Sequence, residues 1–348
     1  LKDPSPWLAD PTKESWLILA PSIVPVIVVI LFKDYFLSGE VSSLWWVILV
    51  LCIDVSHVYS TLFRMYWDRQ TFQQYKKLLI VIPMAAFLAG LALHLYSSML
   101  FWRVLAYVAA YHFVRQQYGF MRLYSRKEEK TKAIRIIDSI AIYCATLYPL
   151  LYWHLHYTQQ LSWFIKGDFI PIRVAGIDGI LTTLYLLTIV AYVVKEIIVV
   201  RKSKQFNVPK NLIVVGTYAS WYVGIVMFQG DLIFTLLNVV AHGIPYMGLI
   251  WIYGETKAAT RFSFTWKGAA IFLGVLVVLA YFEESIWDAF VWQDHPDVFP
   301  WTAFVDSISN APWLSILVPL LVLPQVTHYV LDGFIWRFSK DSSARIPQ

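Results

Sequence analysis

Ten apolar runs divide the chain, at about 16–33, 42–63, 78–100, 101–122, 136–157, 177–199, 211–228, 231–253, 267–286 and 311–336. Each is close to or longer than the roughly 17 to 25 residues with which a helix crosses about 30 Å of hydrocarbon. No water reaches a backbone N–H or C=O there, so a spanning run satisfies these groups within its own helix. The expected fold is all-α: a polytopic membrane helical bundle of about ten transmembrane helices, forming one domain over residues 1–348. The sequence LYSSMLFWRV demands a tight turn around Ser97, Ser98 and Arg103, where two runs abut.

Composition agrees with a bilayer as the outer solvent. Hydrophobic residues are 58% of the 348 positions and charged residues 15%, against about 25% charged in soluble chains. The 16 Trp, 21 Tyr and 22 Phe suit headgroup belts and apolar pockets. Cys52 and Cys144 both sit inside apolar runs, which argues against a disulfide framework. The first run lacks a small-residue cleavage site and reads as a span, not a removable signal. The chain opens on Leu1 instead of Met, so residues ahead of it are expected.

The net charge of +5 is spread over loops, with no clustered basic tail for nucleic acid. It reads as a topology signal. Lys2, Lys13 and the basic residues that follow runs two, four, six, eight and ten make up 23 of the 28 Lys and Arg. Lys33, Arg103, Lys166 and Arg173 lie on the other side, and Arg115 alone is within a run. The positive-inside rule then places both termini in the cytoplasm, and the topology suits a bacterial or archaeal cytoplasmic membrane. The outer segment DAFVWQDHPDVFPWTAFVD is acidic and aromatic and is expected to form a short cap on the membrane.

The histidines separate by depth. His94, His154, His156 and His295 fall at outer ends of runs or in the outer loop, whereas His57, His112, His242 and His328 lie inside runs two, four, eight and ten. Each of these four precedes its basic flank by about 10 to 22 Å of helix, so four helices deliver an imidazole to one layer. Each also has a polar neighbour three or four residues away, on the same helical face. Asp54 accompanies His57; Arg115 and Gln116 accompany His112; Asn238 and Tyr246 accompany His242; Gln325 and Asp332 accompany His328.

Polar groups at that depth cost several kcal/mol when unpaired, so they should face one another around an internal cavity. Pro245 and Pro324 would free the carbonyls of Ala241 and Leu320 and bend two of these helices around the same layer. Neutral imidazoles from facing helices suit iron, zinc or copper, whereas calcium or magnesium needs oxygen ligands. The expected metal ligands are His57, His112, His242 and His328, with Asp54 and Asp332 as oxygen ligands or as groups that orient a ring. Tyr246, Arg115 and Gln116 are the expected catalytic residues beside them. Arg122 and Lys195, toward the basic end, are expected to snorkel to the interface. The chain contains no HExxH, GxSxG or Walker loop, and none of the paired HxxxH and HxxHH boxes associated with membrane desaturases and hydroxylases.

The patches DVSHVYS, YHFVRQQYGF, AHGIPYMGLIW and HYVLDGFIWR, one histidine per helix, resemble the Brp/Blh group of membrane-embedded β-carotene dioxygenases. The resemblance covers local patches of four runs and carries over the four histidines and Asp54. It implies iron held by dispersed histidines, open coordination positions for O2, and cleavage of a polyene. The expected function is thus an iron-dependent membrane oxygenase, acting on a lipid or isoprenoid, with an electron-donor protein as partner if one is needed. Three other classes compete. Facing histidines can clamp a haem in an electron carrier; His242, with Asn238 nearby, can serve as the base of a membrane acyltransferase; buried His and Asp can relay protons in a coupled transporter.

Overall fold

The computed structural model describes residues 5–38, 41–128, 131–156, 163–172, 174, 176–256, 265–305 and 312–335. Among them every regular element is a helix and no strand occurs. In chain order they are α1 (Pro11–Ser22 and Val24–Leu31, bent by 43°), α2 (Lys33–Ser38), α3 (Ser43–Tyr66), α4 (Arg69–Tyr96) and α5 (Ser98–Tyr124). There follow α6 (Lys132–Leu155), α7 (Ile177–Ser203), α8 (Val208–Trp221, continued by Tyr222–Met227), α9 (Asp231–Thr256), α10 (Trp266–Trp292) and α11 (Leu314–Phe334). The expected basic flank residues Lys2, Lys130, Lys257, Arg261, Arg337, Lys340 and Arg345, with Arg173 opposite, lie outside the described residues, as do the tips of the runs at 157, 311 and 336.

Helix starts follow from capping chemistry. Asp68 Oδ1 accepts from the amides of Gln70 and Thr71, Thr131 Oγ1 from Ile134, Asn207 Oδ1 from Lys210 and Thr265 Oγ1 from Gly268. Ser97 is extended (φ −163°, ψ 117°) and separates α4 from α5, at the turn the sequence demands. In α3 the backbone winds as a π-helix from Val47 to Val55, and the Ser56 hydroxyl donates to the Leu51 carbonyl at 2.7 Å within this widened turn. Such turns gather at functional sites.

Seven helices (α3, α4, α6, α7, α9, α10 and α11) are long and apolar enough to cross a membrane, and α1 makes an eighth if its two halves form one broken span. This is an integral membrane protein. Helices α5 and α8 stand where two further spans are expected but give part of their surface to buried polar side chains, His112, Gln116 and Gln117 on one and Asn211, Thr217 and Ser220 on the other. Helix α9 differs from the other six: 83% of its apolar window is buried, against 6 to 44% elsewhere. Neighbours enclose it on nearly every side, as an apolar helix without a polar face requires.

Packing groups the described helices into two compact units, and α5 and α9 contribute to both, dividing after Ala109 and after His242. The first holds α1, α2, the later part of α5, α6, α7, α8 and the first half of α9. In it Glu14 accepts from the amides of Leu8 and Ala9 and from the Tyr124 hydroxyl. A Cβ at Gly216 would stand 2.9 Å from the Ser22 Cβ, so glycine permits α8 to touch α1. Helices α6, α7 and α8 share a buried ionic network. Lys195 bonds Asp138 and Glu196; Lys210 bonds Glu196 at 2.5 Å and Glu128 at 2.8 Å. Lys195 is therefore enclosed, not snorkelling, because two carboxylates on buried helix faces meet its charge.

The second unit holds α3, α4, the start of α5, the later half of α9, α10 and α11. Phe101, Trp102, Leu105, Trp287 and Val318 form one of its cores, and Met65, Leu79 and Leu331 another. Arg64 is buried: it donates to Thr71 Oγ1 at 2.8 Å and lies over the Tyr253 ring. In the segment DAFVWQDHPDVFPWTAFVD Asp288 accepts from the His295 amide and the Thr302 hydroxyl, both at 2.8 Å, and the His295 ring lies tilted over Trp46 with centroids 4.1 Å apart. Both cysteines are free.

Candidate metal centre

In the first unit α5 brings His112 and α9 brings His242, each no more than 3% exposed. Their ring centroids are 4.9 Å apart and nearly perpendicular. Phe113 lies flat on the His242 ring at 3.6 Å, which pins its rotation. The sequence around Pro245 explains the docking of these helices. Proline has no N–H for the Ala241 carbonyl, and Gln117 Nε2 donates to it instead at 3.4 Å. Gln116 Nε2 donates to the His242 carbonyl at 3.1 Å. Two amides of α5 thus fix the height of His242 beside His112, one turn earlier on the same helix.

In the second unit α3 brings His57 and α11 brings His328, both 1% exposed, with ring centroids 5.0 Å apart. Thr61, four residues after His57, places its hydroxyl 2.8 Å from His328 Nδ1 and 3.2 Å from the Tyr246 hydroxyl. That contact engages Nδ1 and holds the orientation of the His328 ring. The Tyr246 ring packs edge-on against both histidines, 4.7 Å from His328 and 6.0 Å from His57. Helix α9 passes close beside α3 because residue 243 is glycine: a Cβ there would meet Ile53 Cγ2 at 2.8 Å and the Ile53 carbonyl at 3.1 Å.

One nitrogen from each of His57, His112, His242 and His328 lies within 4.8 Å of the other three, and all four residues are buried. Metal–nitrogen bonds of about 2.0–2.1 Å put two nitrogens on one ion at most about 4.2 Å apart. A pair 4.8 Å apart would need to close by at least about 0.6 Å around an ion. Four neutral imidazoles form a donor set that suits iron, zinc or copper and lacks the oxygens that calcium and magnesium require.

The remaining expected residues divide. Asp54 and Asp332 are not members of the group. Asp54 stands behind a ligand instead, its carboxylate 3.8 Å from His57 Nδ1 and partly exposed, and Asp332 is half-buried on α11. Gln116 is buried and holds the backbone of His242. Arg115 is not drawn in. One helical turn lets so long a side chain swing outward, where it is exposed, bonds the Tyr143 hydroxyl and covers the Tyr118 ring at 4.8 Å. Asn238 turns back to the Phe234 carbonyl at 3.0 Å, one turn away from His242.

Several neighbours escaped the sequence reading. Thr61, Phe113 and Gly243 carry no signal of their own, since only the helix packing shows what they touch. Glu283 and Glu284 were readable as adjacent carboxylates in an apolar run. Both are buried on α10 without a Lys or Arg in ion-pair range among the described residues; Glu283 accepts from the Tyr59 hydroxyl and from Trp287 Nε1.

Compared with models of protein families, with curated proteins and with solved structures, the chain matches none. Fold and site alone define its class, an all-helical integral membrane protein with a buried cluster of four histidines.

Proposed function

We propose that this protein is a membrane metalloenzyme, an iron-dependent oxygenase acting on a lipid or isoprenoid, carotenoid-like substrate. The observation that supports it is the group of four buried histidine nitrogens drawn from four helices. Iron held by His57, His112, His242 and His328 would supply redox chemistry and a means of using O2; zinc and copper suit the same donors. Haem belongs to the electron-carrier reading; it takes two axial rings, and four nitrogens gathered together favour a lone ion, since the macrocycle would need the place of the other two. The chain's own residues act around that centre. Thr61 orients His328, Phe113 pins His242, Gln116 sets the height of α9, and Tyr246 packs edge-on against His57 and His328.

The four patches that resemble the Brp/Blh group support the same reaction class. The arrangement proposed in the membrane is ten crossings with both termini cytoplasmic, in a bacterial or archaeal cytoplasmic membrane, on the distribution of Lys and Arg. Cleavage of one C=C by O2 into two carbonyls balances without outside electrons, whereas insertion of one oxygen atom needs two from a donor protein. Detergent-purified protein loaded with Fe(II) or Zn(II) and given β-carotene under labelled O2 tests the reading. The expected result is O2 uptake and label in an aldehyde product with iron, and neither with zinc or with His57→Ala. Iron-loaded protein that takes up no O2 with carotenoid, other isoprenoid or acyl-lipid substrates would contradict it.

A proton-coupled transporter is the second reading, favoured by Glu283 and Glu284, buried without basic partners among the described residues. Proteoliposomes with an internal pH dye would then acidify under an imposed gradient, and Glu284→Gln would abolish the signal. An unchanged rate in that variant counts against it.

A further inference from the structure

An open apolar groove runs along α6 beside α7, lined by Ile140, Tyr143, Cys144, Leu147 and Leu151 of α6 and Leu184 of α7. From Ser139 to Leu151 it follows about 18 Å of helix, a length comparable to an extended acyl chain. Its lining is almost wholly carbon, and Ile140, Leu147, Leu151 and Leu184 are exposed. Both bordering helices are among the seven apolar enough to span, so lipid is the solvent that meets this face.

The basic end of the groove carries charge. Arg135 lies one turn before Ser139, and Ser139, which lines the groove, donates its hydroxyl to the Arg135 carbonyl at 2.7 Å. Spacings of four put Arg135, Ser139 and Tyr143 on one helical face. On the other side of Tyr143 stands Arg115 of α5, bonded to the Tyr143 hydroxyl and stacked on Tyr118. Both arginines are exposed, and neither has a carboxylate partner among the described residues. Two exposed guanidiniums, one inside the expected span, therefore belong to residues beside the carbon-lined channel, Arg135 one turn before its first lining residue and Arg115 bonded to Tyr143 one turn further along. Guanidinium is the side chain best shaped for bidentate bonds to a phosphate.

We propose that this groove is a binding site for one anionic phospholipid, its phosphate held by Arg115 and Arg135 and one acyl chain lying along Tyr143, Leu147 and Leu151. Tyr143 serves both ends, its hydroxyl receiving Arg115 and its ring closing the channel. The site is independent of the histidine cluster and of the oxygenase reading.

Native mass spectrometry of the detergent-purified full chain, titrated with dioleoyl phosphatidylglycerol or dioleoyl phosphatidylcholine, tests it. The expected result is one tightly retained phosphatidylglycerol and weaker phosphatidylcholine. Arg115→Gln and Arg135→Gln should each weaken the glycerol lipid about fivefold, and should leave the choline lipid less affected. Leu147→Trp, at an exposed lining position, should displace both lipids while the protein stays monodisperse. Equal retention of the two lipids by wild type, or unchanged retention of phosphatidylglycerol in the double arginine variant or in Leu147→Trp, would overturn the proposal.

Discussion

Thr61 sits 2.8 Å from His328 Nδ1, a contact that orients the ring within the cluster. Groups that orient a ligand in this way typically carry 10- to 100-fold in metal affinity. Thr61→Val should therefore weaken metal binding by about that factor in a competition titration against a chromophoric chelator, and Thr61→Ser should not. Equal affinity in all three proteins would show that the hydroxyl has no such role. At this scale the sequence was legible where depth sorts residues: His57, His112, His242 and His328 were separable from the other four histidines by their distance to the basic flanks. It was illegible where rotamers decide. Arg115 and Gln116 are neighbours in sequence, yet one is exposed and the other is buried against His242.

Among the elements, α9 depends most on a single small residue. With alanine at 243 the new Cβ would stand 2.8 Å from Ile53 Cγ2 and 3.1 Å from the Ile53 carbonyl, so α3 and α9 must separate or shift. Overpacking of this kind costs about 1–3 kcal/mol. Gly243→Ala should lower the thermal midpoint and the metal affinity together, and adding Ile53→Ala should restore part of both; no change in either quantity would refute the close-approach explanation. The α6–α7–α8 network offers a contrasting test. Lys210 is fully buried between Glu128 and Glu196, and breaking such a pair strands a carboxylate at a cost of about 3–5 kcal/mol. Lys210→Met should fall in stability by that amount in chemical unfolding. A loss under about 1 kcal/mol would mean that water or another cation meets those carboxylates.

Over the whole molecule, hydrophobic run length alone marked where helices stand, and the extended Ser97 divides α4 from α5 close to where the sequence required a turn. Run length did not reveal that α5 and α8 would give faces to polar packing, because burial of Gln116, Gln117 and Asn211 depends on which neighbour each helix meets. Four ligands on four helices far apart in sequence also make a bound ion a cross-link of the folded state. A ligand at 100 times its dissociation constant stabilises that state by about 2.7 kcal/mol. Chelation should therefore lower the thermal midpoint of wild-type protein and leave His328→Ala, already without its full ligand set, nearly unmoved. Identical shifts in the two proteins would separate stability from the cluster.

The convergence of His57, His112, His242 and His328 on one ion is tested most directly by elemental analysis of detergent-purified wild type beside the four single His→Ala variants. The expected result is a single redox-active metal per chain in wild type and its loss, at unchanged helical content, in every variant. Metal retained at wild-type stoichiometry in His242→Ala, whose ring is the most deeply buried of the four, would contradict it.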